Sequence, residues 1–229
     1  MELLRALVHK LRRIVRNEGL GPAIKSLPRR VWARVRLRLD LIVLLKELET
    51  VKEPPPAAAR LRLEAVEQRH LPGLAVLNRE RGIAADDRFA ADIAAGYRGY
   101  VALAEGRVVG CYWWADGDGP PPPSRASIGA AIEELGLGID LEPGDVYGAD
   151  LYVGEQDRAG RTAQLFLDLV ENDLRARGYR RLWGYVHETN RLGRWTYSLR
   201  GYKPMWRAVQ IRTPFGTKSW TEPIEDKER

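Results

Sequence analysis

One short stretch combines charged and small residues in a pattern that suits anion binding. Residues 153–166 read VGEQDRAGRTAQLF, with Arg158 and Arg161 just ahead of an amphipathic helical run. A helix begins with backbone N–H groups that lack helical partners and with the positive end of the helix dipole. Two added arginines are unfavourable there unless an anion lies in the turn, and phosphate is the expected one. The stretch therefore predicts a phosphate-binding turn between a strand and a helix.

Other motifs that carry chemistry do not account for this turn. The Walker sequence GK[ST] and the dinucleotide fingerprint G-x-G-x-x-G are both absent. The three histidines and the single cysteine lie far apart in the sequence and give no metal-ligand spacing, so no metal is expected. Cys111 cannot form an internal disulfide and lies in an apolar run, which suggests a reducing compartment, most simply the cytoplasm.

Length and charge divide the chain into a domain and a basic appendage. With 229 residues the chain is long enough to bury one full hydrophobic core. Residues 1–47 carry 12 Lys and Arg against 4 Asp and Glu, whereas the rest of the chain carries 25 against 27. The net charge of +6 therefore originates in the N-terminal segment.

The basic segment opens with an amphipathic pattern. Its apolar residues share one helical face, and they are Leu3, Leu4, Leu7, Val8, Leu11, Ile14 and Val15. Basic residues interrupt this run, unlike a signal peptide, and no stretch of the chain approaches the roughly 20 apolar residues of a membrane span. Three interpretations stay open: a helix packed on the domain, peripheral contact of residues 1–47 with an anionic inner membrane surface, and, least favoured, nucleic-acid binding.

A proline-rich stretch predicts the domain boundary. Residues 34–41 alternate between apolar and charged side chains, which indicates a strand with one wet face. Residues 51–60, VKEPPPAAAR, are typical of an extended linker. We therefore predict an N-terminal extension and linker over 1–55, a domain over 56–215 and a polar tail over 216–229.

The domain alternates between strand and helix patterns. Strands are predicted at 60–66, in a hairpin over 97–117, and at 145–153, 180–188 and 203–213; helices are predicted at 70–82, 85–96, 162–177 and 190–201. Strand–helix–strand order in the second half implies parallel pairing, and the hairpin adds antiparallel strands. We therefore expect an α/β (α+β) fold with a mixed sheet.

Two motifs lie at a fixed separation on these elements. The sequence RAGRTA from Arg158 to Ala163 resembles Q/R-x-x-G-x-G/A, except that Arg161 replaces the middle glycine. Residues 190–202, NRLGRWTYSLRGY, resemble N-x-x-A-x-x-x-Y followed by glycine and an aromatic, with Gly193 replacing the alanine. Together, over about residues 60–213, they resemble the GCN5-related N-acetyltransferase (GNAT) superfamily.

The resemblance implies a fold and a reaction. It implies a mostly antiparallel central sheet flanked by helices, and direct attack of an amine on the thioester of acetyl-CoA or another acyl-CoA, without a metal. The implied cofactor-binding residues are Leu151, Tyr152, Val153, Arg158, Ala159, Gly160, Arg161, Thr162, Ala163 and Asn190. Tyr197 matches the tyrosine that protonates the departing thiolate, and a backbone N–H near Val153 would stabilise the oxyanion.

Three residues stay open as the general base that deprotonates the amine. Asp150 lies in the strand beside the expected thioester, while His187 and Glu188 end the neighbouring strand. We expect the base to be one of these groups or water that they hold.

The acceptor is the least determined part of the prediction. It is expected to be a small-molecule or peptidyl amine, and exposed side chains among Tyr112, Trp113 and Trp114 would suit a sugar or aromatic amine. Residues 118–144 are expected to cover the acceptor pocket.

Acyl length and oligomeric state stay open, as do two other functional classes: a catalytically silent CoA-binding module, and a membrane- or nucleic-acid-associated protein that uses the basic N-terminus.

Overall fold

The structure, a computed structural model, describes most of the chain after its first 36 residues. The described residues are 37–81, 98–116, 132, 135–158, 161–213 and 216–224. They fall into a main compact unit, within residues 40–209 and 219–229, and a smaller one, within 1–39 and 210–218. All the predicted site residues belong to the main unit. The predicted N-terminal amphipathic helix, the helix over 85–96 and most of the segment 118–144 lie outside the described residues.

Eight strands and three α-helices are present among the described residues. The strands are β1 (Leu37–Glu47), β2 (Arg62–Ala65), β3 (Arg98–Ala104), β4 (Arg107–Asp116), β5 (Asp145–Val153), β6 (Arg181–His187), β7 (Lys203–Thr213) and β8 (Gly216–Pro223). The helices are α1 (Leu71–Glu80), α2 (Thr162–Ala176) and α3 (Arg191–Leu199). Short 3₁₀ turns cover Leu48–Thr50, Pro56–Arg60, Gln68–His70 and Glu155–Asp157.

The strands form one mixed sheet in the order β2-β3-β4-β5-β6-β1-β7-β8. Four neighbouring pairs are antiparallel, namely β2–β3, β3–β4, β4–β5 and β1–β6, whereas β5 and β6 are parallel. The predicted hairpin is confirmed as β3–β4, and it turns at Glu105 and Gly106, whose φ angles are 51° and 78°. Positive φ at both turn positions matches the twist of the flanking strands. The predicted mostly antiparallel sheet flanked by helices is confirmed.

Strand β1 lies between β6 and β7, inside the sheet. It pairs with β6 from Leu41 opposite His187 to Glu47 opposite Arg181. The predicted alternation of apolar and solvent-exposed side chains ends at Asp40. Every residue from Leu41 to Lys46 is buried. Those residues offer no surface to a membrane, so a membrane contact of the basic segment would have to involve earlier residues. The predicted domain boundaries near residues 55 and 215 stay predictions. Strand β1 belongs to the sheet and lies before the first of these boundaries.

The two faces of the main unit's sheet carry separate cores. Helix α2 buries Leu165, Phe166, Val170 and Leu174 on one face, as its amphipathic pattern predicted. On the other face, residues of α1 pack with a second apolar cluster. Both faces of the central strands are therefore covered, which explains the continuous apolar run in β1.

The aromatic residues of β4 are core residues. Tyr112, Trp113 and Trp114 are between 3% and 5% exposed. Alternation sends Tyr112 and Trp114 to one core and Trp113 to the other. The expectation that exposed aromatics on this strand bind a sugar or aromatic amine is therefore wrong. No helix among the described residues is long and apolar enough to span a membrane.

Candidate active site

A cleft opens where the parallel strands β5 and β6 separate. The two strands pair at Asp145, Val146 and Tyr147 of β5, and no further along the described residues. The buried Asp145 closes the paired end, since its Oδ1 accepts from Nε of Arg181 at 2.6 Å and its Oδ2 from the indole of Trp183 at 3.0 Å. Beyond Tyr147 the strands diverge, so the backbone edges of both face the cleft.

A bulge in β5 accompanies the separation. Opposite β4, Cys111 pairs with Tyr152 but Trp113 pairs with Ala149, so two residues of β5 oppose one residue of β4. One of the two β5 residues in the bulge is Asp150, whose φ is +54°. Such a bulge bends its strand and redirects side chains, and here it bends β5 where β5 and β6 part.

The cleft brings most of the predicted site residues together. It has a volume of about 520 Å³. The predicted residues that line it are Asp150, Leu151, Tyr152, Val153, Arg158, Ala163, His187, Asn190 and Tyr197. Arg161, Thr162 and Glu188 are not among its lining residues, and Ala159 and Gly160 lie outside the described residues.

A glycine in β5 keeps the floor of the cleft open. A Cβ on Gly148 would lie 1.6 Å from the hydroxyl oxygen of Tyr112, so no larger residue fits there without displacing that ring. Gly184 stands across the cleft on β6, and a Cβ there would lie 3.3 Å from the carbonyl oxygen of Gly148. Neither glycine can be singled out from the sequence, because nothing in the sequence shows which backbones approach each other.

Three arginines surround the N-terminus of α2 at one end of the cleft. Arg158 donates from Nε to the carbonyl oxygen of Val153 at 3.0 Å, and its guanidinium lies over the ring of Tyr152 at 5.1 Å. Arg161 is the N-cap of α2, and no acidic residue occupies the first turn. Arg60 donates to the hydroxyl of Thr162 at 3.3 Å. Arg60 comes from a distant 3₁₀ turn whose sequence is typical of a linker, so the local pattern does not predict its place beside α2.

Arg161 has an unusual backbone conformation. Its φ of 66° and ψ of 22° are left-handed, a region in which a non-glycine residue is disfavoured by about 1–2 kcal/mol. This is the position where the resembled motif carries glycine. The backbone therefore retains a glycine-like turn, with an arginine side chain added whose Nε donates to Oε1 of Gln164 at 2.8 Å.

Tyr197 stands on the opposite wall of the cleft, in α3. Its ring meets the ring of Tyr202 edge to face, with centroids 4.9 Å apart. Burial, with a smaller contribution from the negative charge of Glu171, raises the pKa of Tyr197 to about 12. Asn190 begins the same helix, where its Oδ1 accepts from the backbone N–H of Gly193 at 2.9 Å, the N-cap arrangement.

A buried ionic network supports this wall. Glu171 of α2 is fully buried and accepts from the hydroxyl of Tyr202 at 2.9 Å and from Nη2 of Arg200 at 2.8 Å. Lys46 of β1 lies 3.1 Å from the same carboxylate. The network ties α2, β1 and the end of α3 together, and through Tyr202 it fixes the surface against which Tyr197 packs. In the sequence, the only sign of this network is a glutamate on an amphipathic helix.

The three candidate bases have different partners. Both carboxylate oxygens of Asp150 accept from Arg81. Glu188 accepts from Arg207 at 2.8 Å. His187 lines the cleft, its ring 6.2 Å from that of Tyr185, and it forms no ion pair with another described residue. Of the three, His187 is both in the cleft and free of an arginine partner among the described residues.

Comparison with solved structures places the fold. A GCN5-related N-acetyltransferase from Sphaerobacter thermophilus matches with a TM-score of 0.55 and 15% identity, over 86% of this chain and 57% of that one. A GCN5-related glucosamine N-acetyltransferase region of a fungal multi-domain GH3 beta-N-acetylglucosaminidase matches with a TM-score of 0.56 and 12% identity, over 89% of this chain and 23% of that one. A functionally unknown conserved protein from Staphylococcus epidermidis matches with a TM-score of 0.54 and 11% identity, over 85% and 68% of the two chains.

These matches define the fold as that of the GCN5-related N-acetyltransferases, as the two motifs predicted. The chain spans less than two thirds of the length of the Sphaerobacter and fungal proteins, at 57% and 23%. No family model matches the sequence, and no curated protein matches it.

Proposed function

We propose that the protein transfers an acetyl or other acyl group from acyl-CoA to an amine. The observation that carries the proposal is the cleft itself: it opens between two parallel strands, ends at an arginine-rich helix N-terminus and has Tyr197 on its wall. Helix N–H groups, arginines and a left-handed turn suit a pyrophosphate, and the diverging backbone edges suit an amide-containing chain such as pantetheine.

The fit of a CoA molecule rests on space and charge. Gly148 leaves room in the cleft that a side chain would fill. At the helix end, Arg158, Arg161 and the backbone of Thr162 and Ala163 would hold the pyrophosphate, together with residues 159–160. Arg60 adds a third cation that could pair with another phosphate oxygen. Along the open edge of β5, residues 151–153 would hydrogen-bond the pantetheine.

The chemical step would be attack of a neutral amine on the thioester carbonyl carbon. The C–N bond forms, the C–S bond breaks, and the electron pair leaves with sulfur. A backbone N–H near Val153 would stabilise the oxyanion. Tyr197 would donate its proton to sulfur as negative charge develops there, and the proton that the attacking nitrogen loses on forming the amide would restore the phenol through water. Its raised pKa keeps the phenol protonated, so it is a donor and not a base.

His187 is the proposed general base. An acceptor ammonium must lose a proton before attack, and a neutral imidazole can take it directly or through water. Asp150 and Glu188 each already accept hydrogen bonds from an arginine, whereas His187 has no such partner among the described residues. We assign Asp150 to holding Arg81 beside the bulge, and Glu188 to holding Arg207 outside the cleft.

Thiol release tests the proposal. The full chain would be incubated with acetyl-CoA and with a panel of amines, including amino sugars, polyamines and peptides with a free N-terminus. Free CoA would be measured with a thiol reagent, and the acylated amine by mass spectrometry. We expect amine-dependent release that Tyr197→Phe strongly lowers. CoA binding without release from any acyl donor and amine, even over long incubation, would instead indicate a catalytically silent CoA-binding module.

A further inference from the structure

Helix α3 exposes an apolar stripe that no described residue covers. Leu192, Trp195 and Leu199 are 70%, 58% and 63% exposed. Their spacing of three and four residues places them on one side of the helix. Single exposed apolar residues are common on protein surfaces, but a stripe of three large ones marks an interaction surface.

A large groove lies beside this stripe. It has a volume of about 840 Å³ and is distinct from the cleft, although Leu44 and Tyr202 border both. Its walls come from β1, α3 and the chain at the start of β7, and its apolar lining residues are Ile42, Leu44, Trp195, Tyr202, Pro204, Met205 and Ile224. The proposed acyl transfer does not use this groove, nor Trp195 and Leu199, although Leu192 at the edge of the stripe also borders the cleft.

The described residues give the groove a basic rim. Arg191, Arg194 and Lys203 line it, and no Asp or Glu is among its described lining residues. None of these three cations forms an ion pair with another described residue, whereas Arg81 beside the cleft is held by the carboxylate of Asp150 and Arg158 by the carbonyl oxygen of Val153. Apolar side chains, a tryptophan and unpaired cations on one surface form the pattern of an interfacial membrane helix.

We propose that the outer side of α3 and the adjoining groove dock on an anionic phospholipid surface. In this arrangement Trp195 and Leu199 enter the boundary between headgroups and acyl chains, and Arg191, Arg194 and Lys203 contact lipid phosphates. A second copy of the chain fits less well, because a symmetric contact through the same patch would bring its cations together. The cleft runs along the side of α3 that carries Gly193, Thr196 and Tyr197, next to the stripe, so docking places it near the membrane surface.

Tryptophan quenching tests the contact at residue level. Full-length protein would be mixed with vesicles of phosphatidylcholine and phosphatidylglycerol whose acyl chains carry bromine, which quenches tryptophan fluorescence at short range. Residues 1–36 are themselves basic, so binding alone would not assign the contact to α3. We expect Trp195→Phe to remove the quenched component and Trp220→Phe, which alters a 38% exposed tryptophan outside the groove, to retain it.

Reversing the charge of two arginines at the rim of the groove provides a second test. The pair Arg191→Glu and Arg194→Glu should weaken binding to these vesicles by about tenfold or more at low salt. The matched control is Lys52→Glu with Arg79→Glu, two exposed cations elsewhere, which gives the same change in net charge. We expect the control to bind within about twofold of the wild type, and vesicles of phosphatidylcholine alone to bind weakly.

Three results would overturn the proposal. The first is wild-type protein that does not bind the anionic vesicles. The second is quenching that Trp195→Phe leaves intact, or equal losses for the two charge-reversal pairs, since the contact would then lie elsewhere. The third is a dimer, seen by light scattering, that Trp195→Ser dissociates, since the patch would then be an interface between two copies.

Discussion

Arg81, the residue directly after helix α1, holds Asp150 at the bulge of β5 with two hydrogen bonds. One of them joins Nη1 to Oδ2 at 2.7 Å, and the guanidinium also lies 4.8 Å from the ring centre of Tyr152. Both oxygens of this carboxylate accept from the same guanidinium. The arrangement makes Asp150 part of the structure of the cleft and leaves His187 as the candidate proton acceptor.

Two substitutions separate these roles. Asp150→Asn keeps a residue type that tolerates positive φ, so the bulge should persist. We expect it to lower turnover by less than about tenfold, whereas His187→Gln should lower it by about 10²-fold, the scale of a general base. Steady-state rates with a confirmed acceptor measure both. The reverse order of effects would return the role of base to Asp150.

Tyr197→Phe removes only a hydroxyl from the cleft wall. Affinity for CoA should change little, and turnover should fall by about 10²-fold or more. The pH dependence adds a second readout. Because the pKa of Tyr197 is raised to about 12, its protonated form persists to higher pH, and kcat should stay level up to about pH 10, where an ordinary phenol is half ionised. A decline centred near pH 10 that the Phe variant lacks would contradict this.

Glu171→Gln should destabilise the fold strongly. The change leaves Lys46 without its buried counter-charge and weakens the hold on Arg200, and breaking a buried pair costs about 3–5 kcal/mol. The matched control is Glu142→Gln, which removes a more exposed partner of Arg181 and should cost less than about 1 kcal/mol. Urea unfolding measures both, and equal losses would show that the Glu171 network does not hold the helices together.

Substitutions of Arg161 test whether the turn before α2 is strained, because backbone strain lowers the free energy of unfolding. Arg161→Gly and Arg161→Ala both remove the side chain's charge, but only glycine adopts the observed positive φ without strain. We therefore expect the glycine variant to exceed the alanine variant in free energy of unfolding by about 1 kcal/mol, again by urea unfolding. An alanine variant of equal or greater stability would mean that the turn is not left-handed in solution.

Much of the fold follows from local patterns. The period of the apolar residues predicts α2, because Leu165, Phe166, Val170 and Leu174 recur on one face. The turn residues Glu105 and Gly106 predict the hairpin. The phosphate-binding turn can be proposed because its arginines are neighbours of the helix that they precede. In each case the determining residues lie within a few positions of one another.

The remaining features depend on residues that are distant in the chain. Arg60 reaches Thr162 and Arg81 reaches Asp150 only after the sheet has formed. The place of β1 between β6 and β7 is likewise a tertiary result, since an apolar run fits a buried strand in any position. Trp113 and Trp114 are buried because side chains cover both faces of the sheet. The alternation of residues along β4 does not show that both faces are covered.

Calorimetric titration with CoA tests whether the N-terminus of α2 binds the pyrophosphate. The wild-type chain should bind one CoA. Arg158→Ala combined with Arg161→Ala should weaken binding by about 1.5–3 kcal/mol for each charged hydrogen bond lost, which is at least tenfold. The matched control is Arg62→Ala combined with Arg69→Ala, two exposed arginines that pair with Glu64 near strand β2 at the edge of the sheet. We expect its affinity to match the wild type within about twofold. Absence of CoA binding by the wild type, or equal affinity in both double variants, would contradict the account.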